Sequence, residues 1–211
     1  MTPRSAPDDV VDKSRVENLS DGVFAFAITV LVLTISRPTN YAQLAHQLLE
    51  RWPSYATFVI SFLLIGIMWL NHHTILSYVK RVDHAFFYLN LILLMTVAFI
   101  PFPAEVFGEA LRTGTGERTA AVFFNAVITL DALAFSGLWL HATRERRLLK
   151  DDFPEKLRRS STNLFVAGTG VSIIAIGIAL FSPWASLAFD GAGVFFYALD
   201  PISKRIDHGA A

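Results

Sequence analysis

The chain has 211 residues, 53% hydrophobic and 17% charged, with 18 basic and 18 acidic side chains and no cysteine. This hydrophobicity excludes intrinsic disorder. The missing cysteine excludes a disulfide framework or a thiolate zinc site, and zero net charge leaves no global basic field to hold nucleic acid. The mean hydropathy of +0.46 fits a membrane protein or an unusually apolar soluble one, and the placement of the charges decides between them.

Residues 1–12 are polar, with Pro3 and Pro7 and no apolar core after a basic start. They do not form a cleaved signal peptide and are expected to be a disordered tail. Six apolar stretches follow within 13–205: Leu19–Ile35, Tyr55–Leu76, Ala85–Ala104, Thr119–Leu140, Leu164–Phe181 and Trp184–Leu199. Their only charges are Asp21, Asp131 and Asp190. A spanning helix needs about 20 mostly apolar residues, and only helices or closed barrels satisfy the backbone in lipid. The expectation is an all-α membrane protein of six transmembrane helices, at about 15–37, 54–78, 83–103, 118–142, 161–181 and 184–200, with a short tail at 206–211. Pro53 opens the second helix, Pro101 and Pro103 are expected to close the third, and Ser182-Pro183 makes a tight turn between the fifth and sixth. In the first loop, leucines at 44, 48 and 49 suggest a short amphipathic surface helix.

Lys and Arg set the orientation. Fourteen lie in the N-terminal tail, the second and fourth loops and the C-terminus, against four in the other loops. By the positive-inside rule both termini are cytoplasmic. Seven of the fourteen fall in the fourth loop, from Arg144 to Arg159. There Glu145, Asp151, Asp152 and Glu155 interleave with them, so a solvated cytoplasmic loop is expected rather than a nucleic-acid patch.

No P-loop, GxGxxG, HExxH or GxSxG motif is present. His72 and His73, which follow Trp69-Leu70-Asn71, point about 100° apart on a helix and do not readily chelate one metal. Asp131 and Asp190 are intramembrane acids and hence functional candidates, with interhelical hydrogen bonding the plainer role. The densest polar cluster, Arg15-Val-Glu-Asn-Leu19-Ser20-Asp21-Gly22, opens the first helix; its members are expected to bond a neighbouring helix or subunit, with His72 or His73 as candidate partners. Beyond it Gly22, Phe26, Thr29 and Leu33 fall within an arc of about 60°, with Val30 on its flank. Periodicity leaves that stripe either a packing face or the lining of a narrow pore.

Arg15-x-x-x-Leu19-Ser20-Asp21 resembles the RxxxFSD motif of the transmembrane protein 175 family of potassium channels. The Ala25–Leu33 run, Gly66-Ile-Met-Trp69-Leu-Asn-His72-His73, and Asn90-Leu-Ile-Leu-Leu ending in Pro101-Phe102-Pro103 resemble it too. The resemblance implies a potassium channel without the TVGYG filter, in a prokaryotic plasma membrane. It implies that the first helix lines a pore at the oligomer axis, with Phe26, Val30 and Leu33 as the constriction and Thr29 as a pore hydroxyl. Arg15, Leu19, Ser20, Asp21, Trp69, His72 and His73 belong to the motif network. A single six-helix repeat implies a homotetramer in the lipid bilayer, passing potassium ions passively, with no cofactor, resident metal or enzyme activity. Leu19 replaces the motif phenylalanine, and Phe26 the usual aliphatic residue of the constriction. The runner-up is a proton- or cation-coupled secondary transporter using Asp131, Asp190 or the histidines; broken helices would favour it, and every proline is expected at a helix end or in a loop. An intramembrane enzyme would need converging acids and histidines in several segments, which two lone aspartates do not supply.

Overall fold

The computed structural model describes residues 10–144, 148–151 and 153–199. The helices are α1 (Lys13–Val30), α2 (Leu44–Glu50), α3 (Trp52–Tyr78), α4 (His84–Phe99), α5 (Pro101–Thr113), α6 (Glu117–Thr143), α7 (Glu155–Phe181) and α8 (Pro183–Leu199). Asp12 caps α1 by accepting from the Ser14 amide at 2.9 Å. Hydrogen bonds from the Ser14 side chain and backbone hold the Asp12 carboxyl below its ordinary 3.8. Two short strands, β1 (Val10–Val11) and β2 (Val82–Asp83), pair antiparallel beside α4, so Val10 and Val11 are strand where a disordered tail was expected. The rest of the expected tails, 1–9 and 206–211, lies outside the described residues.

Among the described residues, five helical stretches are long and apolar enough to cross a membrane: Lys13–Thr34, Trp52–Tyr78, His84–Thr113, Glu117–Thr143 and Arg158–Phe181. At about 1.5 Å per residue a 27-residue helix such as α3 runs about 40 Å, more than the roughly 30 Å hydrocarbon core. α8, with 17 residues, is shorter than any of these five stretches.

The third expected helix does not close at Pro103. It bends at Ile100 and continues as α5 to Thr113, where Gly114 takes the left-handed cap at φ +68°. Proline breaks a helix only where an N–H is needed, and in a first turn the N–H has no partner anyway. Ile100 stays helical and its carbonyl accepts from Ala104 at 3.1 Å, so the chain turns without leaving helical geometry. α5 then packs on α3 so closely that a Cβ on Gly108 would meet Thr57 Oγ1 at 2.5 Å.

α1 ends as α-helix at Val30 and tightens into a 3₁₀ turn over Leu31–Thr34, rather than running to 37. The Thr34 hydroxyl donates back to the Leu31 carbonyl at 2.7 Å, which favours such tightening. The following connection is tied by Arg51, 5% exposed, whose guanidinium donates to the carbonyls of Ser36, Arg37 and Gln47.

α6 is the hub, packed on α4, α5, α7 and α8. α7 starts at Glu155, six residues earlier than expected, in a segment taken for solvated loop. Part of that segment is core. Leu148, Leu149 and Phe153 are buried, Val79 bridges to Leu149, and Phe153 packs on Tyr78 and Trp139.

Candidate functional site

α1 carries two opposed faces. Val16, Ser20, Phe24, Ala27 and Leu31 are 0–1% exposed, and their spacings of three and four residues make one stripe packed against α3 and α4. Phe26 and Leu33 are 69% and 72% exposed. Gly22 and Thr29 are exposed along the same stripe, with Val30 half-buried at its edge. The chain's own fold therefore leaves this stripe uncovered. The Thr29 hydroxyl donates to the Phe26 carbonyl at 2.8 Å, so its oxygen can still accept.

At the N-terminal end of α1 the polar cluster divides. Ser20 is fully buried and its hydroxyl donates to the Val16 carbonyl at 2.8 Å. Its oxygen then accepts from Asn90 Nδ2 at 3.1 Å, and Asn90 Oδ1 lies 2.7 Å from His72 Nε2. Because the carbonyl can only accept, every donor in the chain is assigned: the Asn90 amide nitrogen faces Ser20, and His72 Nε2 carries the hydrogen toward Asn90. The His72 ring also packs on Phe24, centroids 5.4 Å apart. Helices α1, α3 and α4 are thus joined through one buried relay, Ser20–Asn90–His72.

A second link is exposed: Trp69 Nε1 donates to Asp21 at 2.8 Å, and the Trp69 ring stacks on His73. Arg15 does not join it. It is exposed, and its backbone amide and its charge act on the Asp12 carboxyl rather than on Asp21. Leu19 is also 43% exposed. Asn90 is the member that residue patterning did not single out; its signal was an amide in the otherwise charge-free Ala85–Ala104 run.

The two acids of the apolar stretches are each hydrogen-bonded between helices. Asp131 on α6 accepts from Thr96 of α4 at 2.8 Å, and Asp190 on α8 lies 3.5 Å from Asn125 Nδ2 of α6. No described cluster of three His, Cys, Asp or Glu groups is placed to hold a metal.

A bundle of long apolar helices joined by buried amides, hydroxyls and an imidazole is a multi-pass membrane protein, here with one helix presenting a bare stripe. The model of the endosomal/lysosomal potassium channel TMEM175 family matches residues 15–101, the segment that holds both the stripe and the relay. A potassium channel of Streptomyces collinus is 40% identical over 95% of this chain and 98% of its own length. The crystal structure of a lysosomal potassium-selective channel TMEM175 homolog from Chamaesiphon minutus superposes with a TM-score of 0.80 at 38% identity, covering 89% of this chain and 96% of that one. The human endosomal/lysosomal proton channel TMEM175 is 30% identical over 63% of this chain, which spans 28% of that longer protein. The chain belongs to the TMEM175 family of potassium channels; it is a multi-pass plasma-membrane channel protein and not an enzyme.

Proposed function

We propose that the chain forms a homotetrameric potassium channel whose pore runs along the axis between four copies of α1. The observation that carries the reading is the uncovered Gly22–Phe26–Thr29–Leu33 stripe, opposite a face that is fully buried in the chain's own core. One chain has no conduit along this stripe, so closed rotational symmetry would build it. Phe26 and Leu33, with Val30 beside them, form the constriction; Thr29 adds a hydroxyl between two apolar rings. Conduction is passive, and selection and gating come from pore width and dewetting. α8 completes six spans, with both termini cytoplasmic as the Lys and Arg distribution favours. The Asp21–Trp69 link and the Ser20–Asn90–His72 relay hold α1 in place at the cytoplasmic end. There the exposed Arg15 reaches a neighbouring subunit.

Reconstitution tests this. Purified protein in lipid should behave as four chains and carry a passive current that reverses with the potassium gradient. A stable monomer or dimer in lipid contradicts the axial pore, and a strict stoichiometric coupling to another ion contradicts a channel.

A further inference from the structure

Helices α3, α6, α7 and α8 line a cavity of about 450 Å³ with an almost wholly aliphatic and aromatic wall, open on the side where Val171 and Phe196 are exposed. No residue of α1 lines it, so it is separate from the proposed pore. Its polar groups are unbalanced. Asn125, 1% exposed, lines it, and its Nδ2 faces the Ala121 carbonyl at 3.0 Å and the Ser186 hydroxyl at 2.9 Å. A carbonyl can only accept, so the amide is held in this orientation. Asn125 Oδ1 is then a buried acceptor with no donor among the described residues. Asp190 and Asp131 line the same space, while no lysine, arginine or histidine among the described residues does. The Ser172 hydroxyl is spent on the Thr169 carbonyl and the Tyr197 hydroxyl on Asn71.

Buried acceptors and acids without a counter-charge are costly in an apolar setting. A cavity this apolar does not favour water, which needs two to four polar partners. Its volume lies within the roughly 300–1,000 Å³ typical of small-ligand sites. We propose that it is a binding site for a hydrophobic amine. The ammonium donates to Asn125 Oδ1 and pairs with Asp190, and the alkyl body lies along the apolar wall toward Asp131.

The test uses the full chain in lipid nanodiscs, with a diazirine-bearing dodecylamine as photoprobe and labelled peptides mapped by mass spectrometry. Labelling should concentrate at residues 125–135, 164–175 and 189–197, saturate, and be displaced by dodecylamine but not by dodecanol or dodecanoate. Asp190→Asn removes the charge at constant shape. Gly193→Leu fills the cavity from a position where an added Cβ meets nothing within 4 Å. Each should weaken displacement at least about tenfold, the scale of losing a buried charge pair. Gly137→Leu, equally unobstructed but outside the cavity, should leave it unchanged. Labelling that does not saturate overturns the proposal, as does equal displacement by dodecanol, which would mark an acyl-chain groove only. Retention of wild-type affinity by either cavity variant also overturns it. None of these readouts depends on conduction, so they stand or fall apart from the pore.

Discussion

Asn90→Ala is the substitution the structure weighs most heavily. It deletes two hydrogen bonds at once, one to Ser20 and one from His72, among side chains that are 0–1% exposed. Interhelical hydrogen bonds in membrane proteins average about 0.6 kcal/mol each, which alone would give about 1 kcal/mol. That average assumes the released groups find other partners. Here His72 Nε2 is buried against Phe24 and no second acceptor reaches it among the described residues, so orphaning costs of about 1–3 kcal/mol per group apply. With a small cavity added, the expected loss is about 2–4 kcal/mol. For a chain of this size that is on the order of 10 °C in unfolding temperature. Tryptophan-detected thermal unfolding in mild detergent reads it. Ser20→Ala and the double variant complete a cycle, whose coupling should exceed about 0.5 kcal/mol because the two residues share one bond. A loss below about 1 kcal/mol for Asn90→Ala, or strict additivity with Ser20→Ala, would refute the relay.

Three further substitutions probe other joints of the fold. Asp21→Ala should free the Trp69 indole N–H, shift its fluorescence and weaken assembly or conduction; an unchanged spectrum and a fully active, equally stable channel would make that link incidental. Arg51→Met leaves three carbonyls without their shared donor and should cost about 2–4 kcal/mol, read as faster proteolysis within residues 35–51. Gly108→Val forces α5 away from α3 and should destabilise by about 1–3 kcal/mol, whereas Gly137→Ala, with open space at its Cβ, should not lower the unfolding temperature.

Much of the bundle was legible because lipid forbids charges over long stretches: the runs Tyr55–Leu76 and Thr119–Leu140 mark α3 and α6 to within a few residues. Stepping 100° per residue puts Phe26, Thr29 and Leu33 on one stripe of α1, but it does not say whether that stripe packs or stands bare, because that depends on where α3 and α4 lie. Pro101 and Pro103 misled because proline is as compatible with the first turn of a new helix as with the end of an old one. Leu148, Leu149 and Phe153 were hidden inside a charged segment, where local composition says loop and only the contacts with Val79, Tyr78 and Trp139 make them core. Asn90 was hidden for a different reason. Its partner Ser20 lies 70 residues away, and no local pattern encodes that pairing.

The central claim is that Phe26 faces a conduction path, and one measurement reaches it most directly. Potassium and sodium currents should be recorded from reconstituted wild-type, Phe26→Ala and Ala25→Val channels. Four phenyl rings on a common axis would make the narrowest or near-narrowest ring. Phe26→Ala should therefore raise conductance and loosen discrimination between potassium and sodium, while Ala25→Val, about 100° around the helix, leaves selectivity as it was. Unchanged current and selectivity in Phe26→Ala would contradict the pore assignment and make the exposed stripe a surface for lipid or a packing partner.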